Sequence, residues 1–307
     1  MTFNALLIPT DGSDPAEAAA RRGFDLAAQL EASVHIVSVA DSSLATGTGY
    51  SGDSASIRAR LRDQATARTA SLQEDAEERG LDTTAVVREG IPAKEIVDYA
   101  DEQGLDAIVL GTSGRGGVVR AVVGSVADKV VRTSTVPVLT LNQATIDAVE
   151  GSIDSILLPT DGSEPAEAAA ARGVDLAEQL DATVHCFSVA DETVAGELDA
   201  LVPDRNGGSA DSLTDKADDN VERVAATATD CDVDCVSATA TGDPAEEIVA
   251  YADEQDLDMI VIGSHGRGGF RRAVVGSVTD EVIRTANVPV LSVRVTADAA
   301  DGDEESQ

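Results

Sequence analysis

Cysteine, lysine and long apolar runs are all scarce in this chain of 307 residues. The three cysteines, Cys186, Cys231 and Cys235, are odd in number and give no disulfide framework. No cluster of further Cys or His accompanies Cys231 and Cys235, so they read as buried small apolar groups rather than metal ligands. No apolar run approaches the ~18 residues of a membrane span, and Met1-Thr2-Phe3-Asn4 does not open a basic segment followed by an apolar one. A cytoplasmic protein with no membrane partner is expected. Positive charge is also thin, with 22 basic residues against 56 acidic ones, a formal charge of −34, and only Lys94, Lys129 and Lys216 as lysines. Such a surface repels phosphate backbones and excludes a broad nucleic-acid interface. Its composition resembles that of proteins from salt-accumulating microbes, where high ionic strength screens self-repulsion. The 43% of hydrophobic residues excludes wholesale disorder, and the length suffices for two ordinary domains.

Against this acidic background one basic, glycine-rich stretch occurs twice. Gly111-Thr112-Ser113-Gly114-Arg115-Gly116-Gly117 runs on to Gly124-Ser125, and Gly263-Ser264-His265-Gly266-Arg267-Gly268-Gly269 runs on to Gly276-Ser277. Each follows an apolar run, Ala107 to Leu110 or Met259 to Ile262, that reads as a buried strand, and each leads into helical spacing. A glycine-rich turn between a strand and a helix start gathers unpaired backbone N–H groups and the positive end of the helix dipole around one small volume. That volume suits an anion. Glycines in such a loop can also do no more than turn the chain, but matched spacing in two copies, each with an arginine inside the loop, favours phosphate. Arginine supplies a planar fork of donors for it. Neither stretch is a Walker A motif, because no GK[ST] follows. Neither is GxGxxG, because Val119 and Arg271 stand where the last glycine would be.

Self-comparison divides the chain in two. Leu7-Ile8-Pro9-Thr10-Asp11-Gly12-Ser13 recurs as Leu157-Leu158-Pro159-Thr160-Asp161-Gly162-Ser163, 150 residues on; from Gly90 and Gly242 onward the offset is 152. The expected domains are 1–145 and 152–297, with an acidic, disordered tail over 298–307. In the first half strands are predicted over Ala5–Pro9, Val34–Val39, Thr83–Arg88, Ala107–Leu110 and Val136–Leu139. Helices are predicted from Asp14, from Ser54 to Arg79, from Pro92 to Gln103 and after Gly124, with Ser13 or Asp14 as the first cap. Alternation of this kind gives an α/β fold: a five-stranded parallel sheet covered by helices on both faces. Ligands of such sheets sit beyond the carboxyl ends of the strands, where strand order reverses. Asp11, Val39 and Gly111 should therefore meet at one crevice.

The run Pro9-Thr10-Asp11-Gly12-Ser13, combined with Gly111-xx-Gly114-x9-Gly124-Ser125 and repeated in the second half, resembles the universal stress protein family, and the spaced glycines resemble its ATP-binding branch. The resemblance implies two tandem Rossmann-like domains of the adenine nucleotide alpha hydrolase-like type. They would pair internally, and a homodimer is also compatible with it. It implies ATP, ADP or AMP as ligand. Asp11 and Asp161, with Pro9, Gly12, Pro159 and Gly162 beside them, match the acidic position near the nucleotide, and Val39 and Val189 the position whose backbone meets adenine. Gly111, Gly114, Arg115, Gly116 and Gly117 would wrap the phosphates, closed by Gly124, Ser125 and Val126. Their counterparts are Gly263, Gly266, Arg267, Gly268, Gly269, Gly276, Ser277 and Val278. A triphosphate would bring Mg²⁺ held mainly by phosphate oxygens and water, since the loop offers no carboxylate cluster.

Several of these residues have a second reading. Asp11 can form an Asx turn with the N–H of Ser13, alone or together with a ligand role. His265 either touches a phosphate or stands solvated in its loop. His35 and His185 read as packed strand histidines, because no nucleophile motif accompanies them. The polar loops Asp41 to Asp53 and Ala190 to Ala210 are either lids over the crevice or solvated acidic insertions. The expectation is a nucleotide-binding sensor or adaptor in stress physiology with an unidentified protein partner, rather than an enzyme. The alternatives are slow ATP hydrolysis or nucleotidyl transfer, and a nucleotide-free interaction module.

Overall fold

A computed structural model describes residues 2–41, 54–112, 123–148, 151–191, 208–264 and 275–294. In the first half β1 (Ala5–Pro9), α1 (Asp14–Gln29), β2 (Ser33–Asp41), α2 (Ser54–Glu78), β3 (Thr83–Gly90), α3 (Pro92–Gln103), β4 (Ala107–Gly111), α4 (Ser125–Thr133) and β5 (Val138–Leu141) alternate, followed by α5 (Gln143–Ala148). The second half repeats the pattern. It runs β6 (Ser155–Pro159), α6 (Glu164–Leu180), β7 (Thr183–Asp191), α7 (Gly208–Asp230), β8 (Cys235–Gly242), α8 (Pro244–Glu254), β9 (Met259–Gly263), α9 (Ser277–Thr285) and β10 (Val290–Val293). The strands order as β3-β2-β1-β4-β5 in the first half and β8-β7-β6-β9-β10 in the second. The α/β fold expected of both halves is observed, with parallel pairing at β1–β2, β1–β4, β6–β7 and β6–β9.

The strands are parallel because helical crossovers connect them, and the central ones are apolar on both faces for the same reason. Leu6, Leu7 and Ile8 of β1 and Ile156, Leu157 and Leu158 of β6 are fully buried. Ser13 rather than Asp14 caps α1, its hydroxyl accepting from the N–H of Ala16 at 3.4 Å, with Pro15 in the first turn. β5 begins at Val138, two residues later than its apolar run, because Pro137 has no N–H to give a ladder. The Pro137 carbonyl still accepts from Ile108 N–H at 2.9 Å.

Where composition breaks after Leu141, a short helix forms instead of a plain linker. Asn142 Oδ1 accepts from the N–H and the hydroxyl of Thr145, both at 3.0 Å, and so caps α5. The side-chain amide of Gln29 then clasps the backbone of Ile153 in both directions, at 2.9 and 3.0 Å. The chain separates into two compact units between Ile153 and Asp154, with Ala286–Val290 counted in the first. Cys231 and Cys235, expected to be small buried groups, are only half-buried, whereas Cys186 is buried. Cys235 opens β8, an edge strand, where alternate side chains meet solvent.

In each half the first strand pairs with the fourth over two residues only, Leu6↔Ala107 and Leu7↔Ile108, then Ile156↔Met259 and Leu157↔Ile260. Beyond these pairs the strands part at their carboxyl ends, and strand order reverses there. Topology favours a ligand at that place in each half, and in the second half a cavity opens there.

Candidate functional site

The floor of each crevice is the turn that follows the first strand. Asp11 Oδ1 accepts from Ser13 N–H at 2.9 Å, and Gly12 N–H donates to Thr10 Oγ1 at 3.0 Å. In the second half Asp161 Oδ1 accepts from the N–H and the hydroxyl of Ser163 at 3.0 and 2.6 Å, and Gly162 N–H donates to Thr160 Oγ1 at 3.1 Å. Both aspartates therefore form the Asx turn anticipated for Asp11. Gly12 and Gly162 hold φ of +73° and +72°, in the left-handed region that glycine enters without penalty.

The long helix of each half leans over this turn, a contact invisible in the sequence. A Cβ on Gly12 would lie 2.7 Å from Nε of Arg68, and one on Gly162 would meet the Asn220 side chain and, at 2.5 Å, Nη2 of Arg223. Arg68 and Asn220 correspond across the repeat, 152 residues apart. Arg223 donates to Asn220 Oδ1 at 2.6 Å and pairs with Glu167 at 2.6 Å. The two floors thus differ: a single guanidinium covers the first, and a carboxamide together with a guanidinium covers the second.

At the far side of the crevice the glycine-rich loop is tied at its base. Gly124 N–H donates to Thr112 O at 2.5 Å and Gly276 N–H to Ser264 O at 2.8 Å, while Thr112 and Ser264 N–H bond to the ends of β5 and β10. The carbonyls of Gly124 and Gly276 accept from Asp128 and Asp280 N–H, both at 2.9 Å, which starts α4 and α9. The N–H groups of Ser125, Val126 and Ala127, and of Ser277, Val278 and Thr279, consequently have no partner inside their own helices, and the positive dipole end is at the loop. Thr279 Oγ1 donates to Gly263 O at 2.6 Å, where the first half has Ala127.

Gly111 and Gly263 also have a packing role. A Cβ on Gly263 would lie 2.8 Å from the carbonyl oxygen of Pro165, and one on Gly111 would lie 3.2 Å from that of Pro15. The fourth strand must be bare there for the first helix of its half to approach. The loop interiors, with Gly114, Arg115, Gly116, Gly117, His265, Gly266, Arg267, Gly268 and Gly269, lie outside the described residues. So do both candidate lids, over 42–53 and 192–207, and the acidic tail.

In the second half these pieces enclose a cavity of about 280 Å³. Six of the residues expected at the site line it: Pro159, Asp161, Val189, Gly263, Gly276 and Val278. Gly162 and Ser277 adjoin the lining without belonging to it. Their first-half counterparts Pro9, Asp11, Val39, Gly111, Gly124 and Val126 hold the corresponding positions in or just beside β1, β2, β4 and α4.

Sequence reading missed the apolar wall of Phe187, Leu213 and Ile248, and the polar pair Lys216 and Asn220 on α7. Phe187 is fixed by stacking on Tyr251, with ring centroids 4.4 Å apart and planes at 19°. Tyr251 in turn meets His185 Nδ1 at 3.1 Å, as Tyr99 meets His35 at 2.8 Å. Both histidines are packed strand residues, and burial lowers their pKa below the ordinary value. One wall of the cavity is therefore apolar and aromatic. The lining also offers backbone N–H groups, a lysine and an amide.

Among the described residues no group of three or more His, Cys, Asp or Glu is arranged to hold a metal. No described helix is long and apolar enough to cross a membrane.

The sequence profile of the universal stress protein family matches residues 2–142 and again residues 152–294. A universal stress protein of Methanocaldococcus jannaschii is 33% identical over 141 residues, covering 46% of this chain and 83% of that protein. One from Mycobacterium bovis is 29% identical over 206 residues, 66% of each chain. In solved structures, a universal stress protein from Archaeoglobus fulgidus DSM 4304 superposes over 97% of this chain and 98% of its own, with a TM-score of 0.67 at 20% identity, a likeness of fold.

Proposed function

We propose that this chain, which belongs to the universal stress protein family, binds one adenine nucleotide in the crevice of each half and acts as a sensor or adaptor. The single observation that carries this reading is the second-half cavity of about 280 Å³, whose lining combines apolar and aromatic side chains with hydrogen-bond donors. A purine is flat and apolar with polar edges, and Phe187, Val189, Leu213 and Ile248 offer it a matching wall. Polyphosphate needs converging N–H groups and cations. The first turn of α9, the loop containing Arg267, and Lys216 would supply them. The first half would use α4, Arg115 and, from above the floor, Arg68.

A dedicated Mg²⁺ site does not fit this donor set. Asp161 and Asp191 are the carboxylates among the lining residues, and Oδ1 of Asp161 already accepts two hydrogen bonds from Ser163. Octahedral coordination by protein alone would need more oxygens than these. The residues named here bind and orient; none is assigned a chemical step. Nucleotide would act by favouring the conformation in which loop and crevice close, and a protein partner would read that surface.

Mass spectrometry of a denaturing extract of the purified protein tests the proposal. An adenine nucleotide released in step with protein amount is expected. A protein that carries none and takes up none belongs to the nucleotide-free reading. Turnover of radiolabelled ATP that disappears in the Arg115→Ala, Arg267→Ala double variant would instead assign a slow hydrolase.

A further inference from the structure

Cys186 and Cys235 stand on the neighbouring strands β7 and β8 with their sulfur atoms 3.0 Å apart. The parallel register pairs Val184 with Cys235 and Cys186 with Ser237, so both cysteines project from the same face of the sheet. Neither sulfur lines the cavity, and the nucleotide reading gives neither any task. Two thiols drawn together in a fold with no disulfide framework are uncommon, and their separation exceeds a disulfide bond of ~2.05 Å by only about 1 Å.

We propose that Cys186 and Cys235 are a two-electron redox site, oxidised to a reversible intramolecular disulfide by a hydroperoxide. Cys235 is half-buried and Cys186 fully buried, so the oxidant meets Cys235 first. The Cys235 sulfur attacks the peroxide O–O bond, which breaks; one oxygen stays as a sulfenic acid and the other leaves as water, or as an alcohol from an organic peroxide. The Cys186 sulfur then attacks the sulfenic sulfur. The S–S bond forms, the S–O bond breaks, and the departing hydroxide takes the Cys186 proton as a second water. Both thiols have lost one electron each and the peroxide has gained two. Burial and the adjacent Cys235 hold the Cys186 thiol protonated well above the usual thiol range. That fits a resolving role for Cys186 and not the initiating one. A dithiol reductant reverses the change by exchange. The site rests on its own geometry and stands whether or not the crevice holds a nucleotide.

Peptide mapping of the full chain, reduced and then exposed to hydrogen peroxide, tests the site. Free thiols are alkylated after denaturation, and cleavage before aspartate separates Cys231 from Cys235 at Asp232 and Asp234. The expected product is a peptide pair joining Cys186 to Cys235, lighter by two hydrogens, with Cys231 alkylated as before and all three thiols restored by dithiothreitol. Cys231→Ser should leave the yield unchanged. Cys235→Ser, at a half-exposed position that tolerates the change, should abolish it. Three alkylated cysteines after peroxide would overturn the proposal. So would a Cys231–Cys235 link, a link between chains, or Cys235 carried to sulfinic acid with Cys186 still free.

Discussion

The hydroxyl of Tyr99 on α3 lies 2.8 Å from Nδ1 of His35 on β2, and the second half repeats the pair as Tyr251 and His185 at 3.1 Å. Each histidine is held between its strand, near the amino end, and the helix that covers it.

Stability should fall with pH because of these pairs. Burial lowers the folded pKa of both histidines, partly offset at His35 by Asp82. A lowered value means that the folded state disfavours the proton. The contribution is therefore complete above the unfolded histidine pKa of about 6.5 and is lost as pH falls below it toward the folded value. Melting temperatures between about pH 7.5 and pH 5.5 should drop more steeply for the wild type than for His35→Gln, His185→Gln, in which glutamine keeps a polar partner for each tyrosine. Equal slopes would refute this.

Salt should raise the melting temperature. A net charge of −34 repels itself at low ionic strength, and molar KCl shrinks the Debye length to about 3 Å. A melting point unchanged between low and molar salt would contradict the prediction.

Gly263→Ala should be more damaging than Gly111→Ala. The new methyl would strike the Pro165 carbonyl oxygen at 2.8 Å in the first case, but stand 3.2 Å from that of Pro15 in the second. Backbone cannot yield as a side chain does, so a loss of about 1–3 kcal/mol is expected for Gly263→Ala. Urea denaturation of each variant measures the difference, and equal midpoints would count against the packing role.

Much of this architecture was legible in advance, and the exceptions have physical causes. Ala5–Pro9 and Pro92–Gln103 have the bounds their apolar periodicity implies, because turns and prolines punctuate them. Asp11 was readable as an Asx turn because that interaction is local, and Asp161 repeats it. The roof over Gly12 was not, since Arg68 arrives from a helix that reads in sequence as charged and solvated. Its signal was present only as the exchange of Arg68 for Asn220 between halves otherwise alike. Phe187 and Ile248 were missed for a related reason: cavity walls are made by residues distant in sequence. The sequence motif points Gly263 to phosphate alone, although a Cβ there would strike the carbonyl of Pro165.

Lys216→Ala should weaken nucleotide uptake by the second half without changing its melting point. Lys216 lines the cavity from an exposed position, and Gln64 occupies its place in the first half. A decrease of roughly threefold to fivefold, smaller at high salt, is the scale of an exposed charge contact. Titration of a fluorescent adenine nucleotide into both proteins would reveal it; identical affinities would exclude Lys216 from the site.

The account depends most on two donor-lined crevices that take up adenylate. Isothermal titration calorimetry of the full chain with ATP, at molar KCl, addresses that directly. Saturation at two nucleotides per chain, with unequal affinities because Arg68 and Asn220 differ, is the predicted result. A folded chain that evolves no binding heat and retains no nucleotide would contradict it.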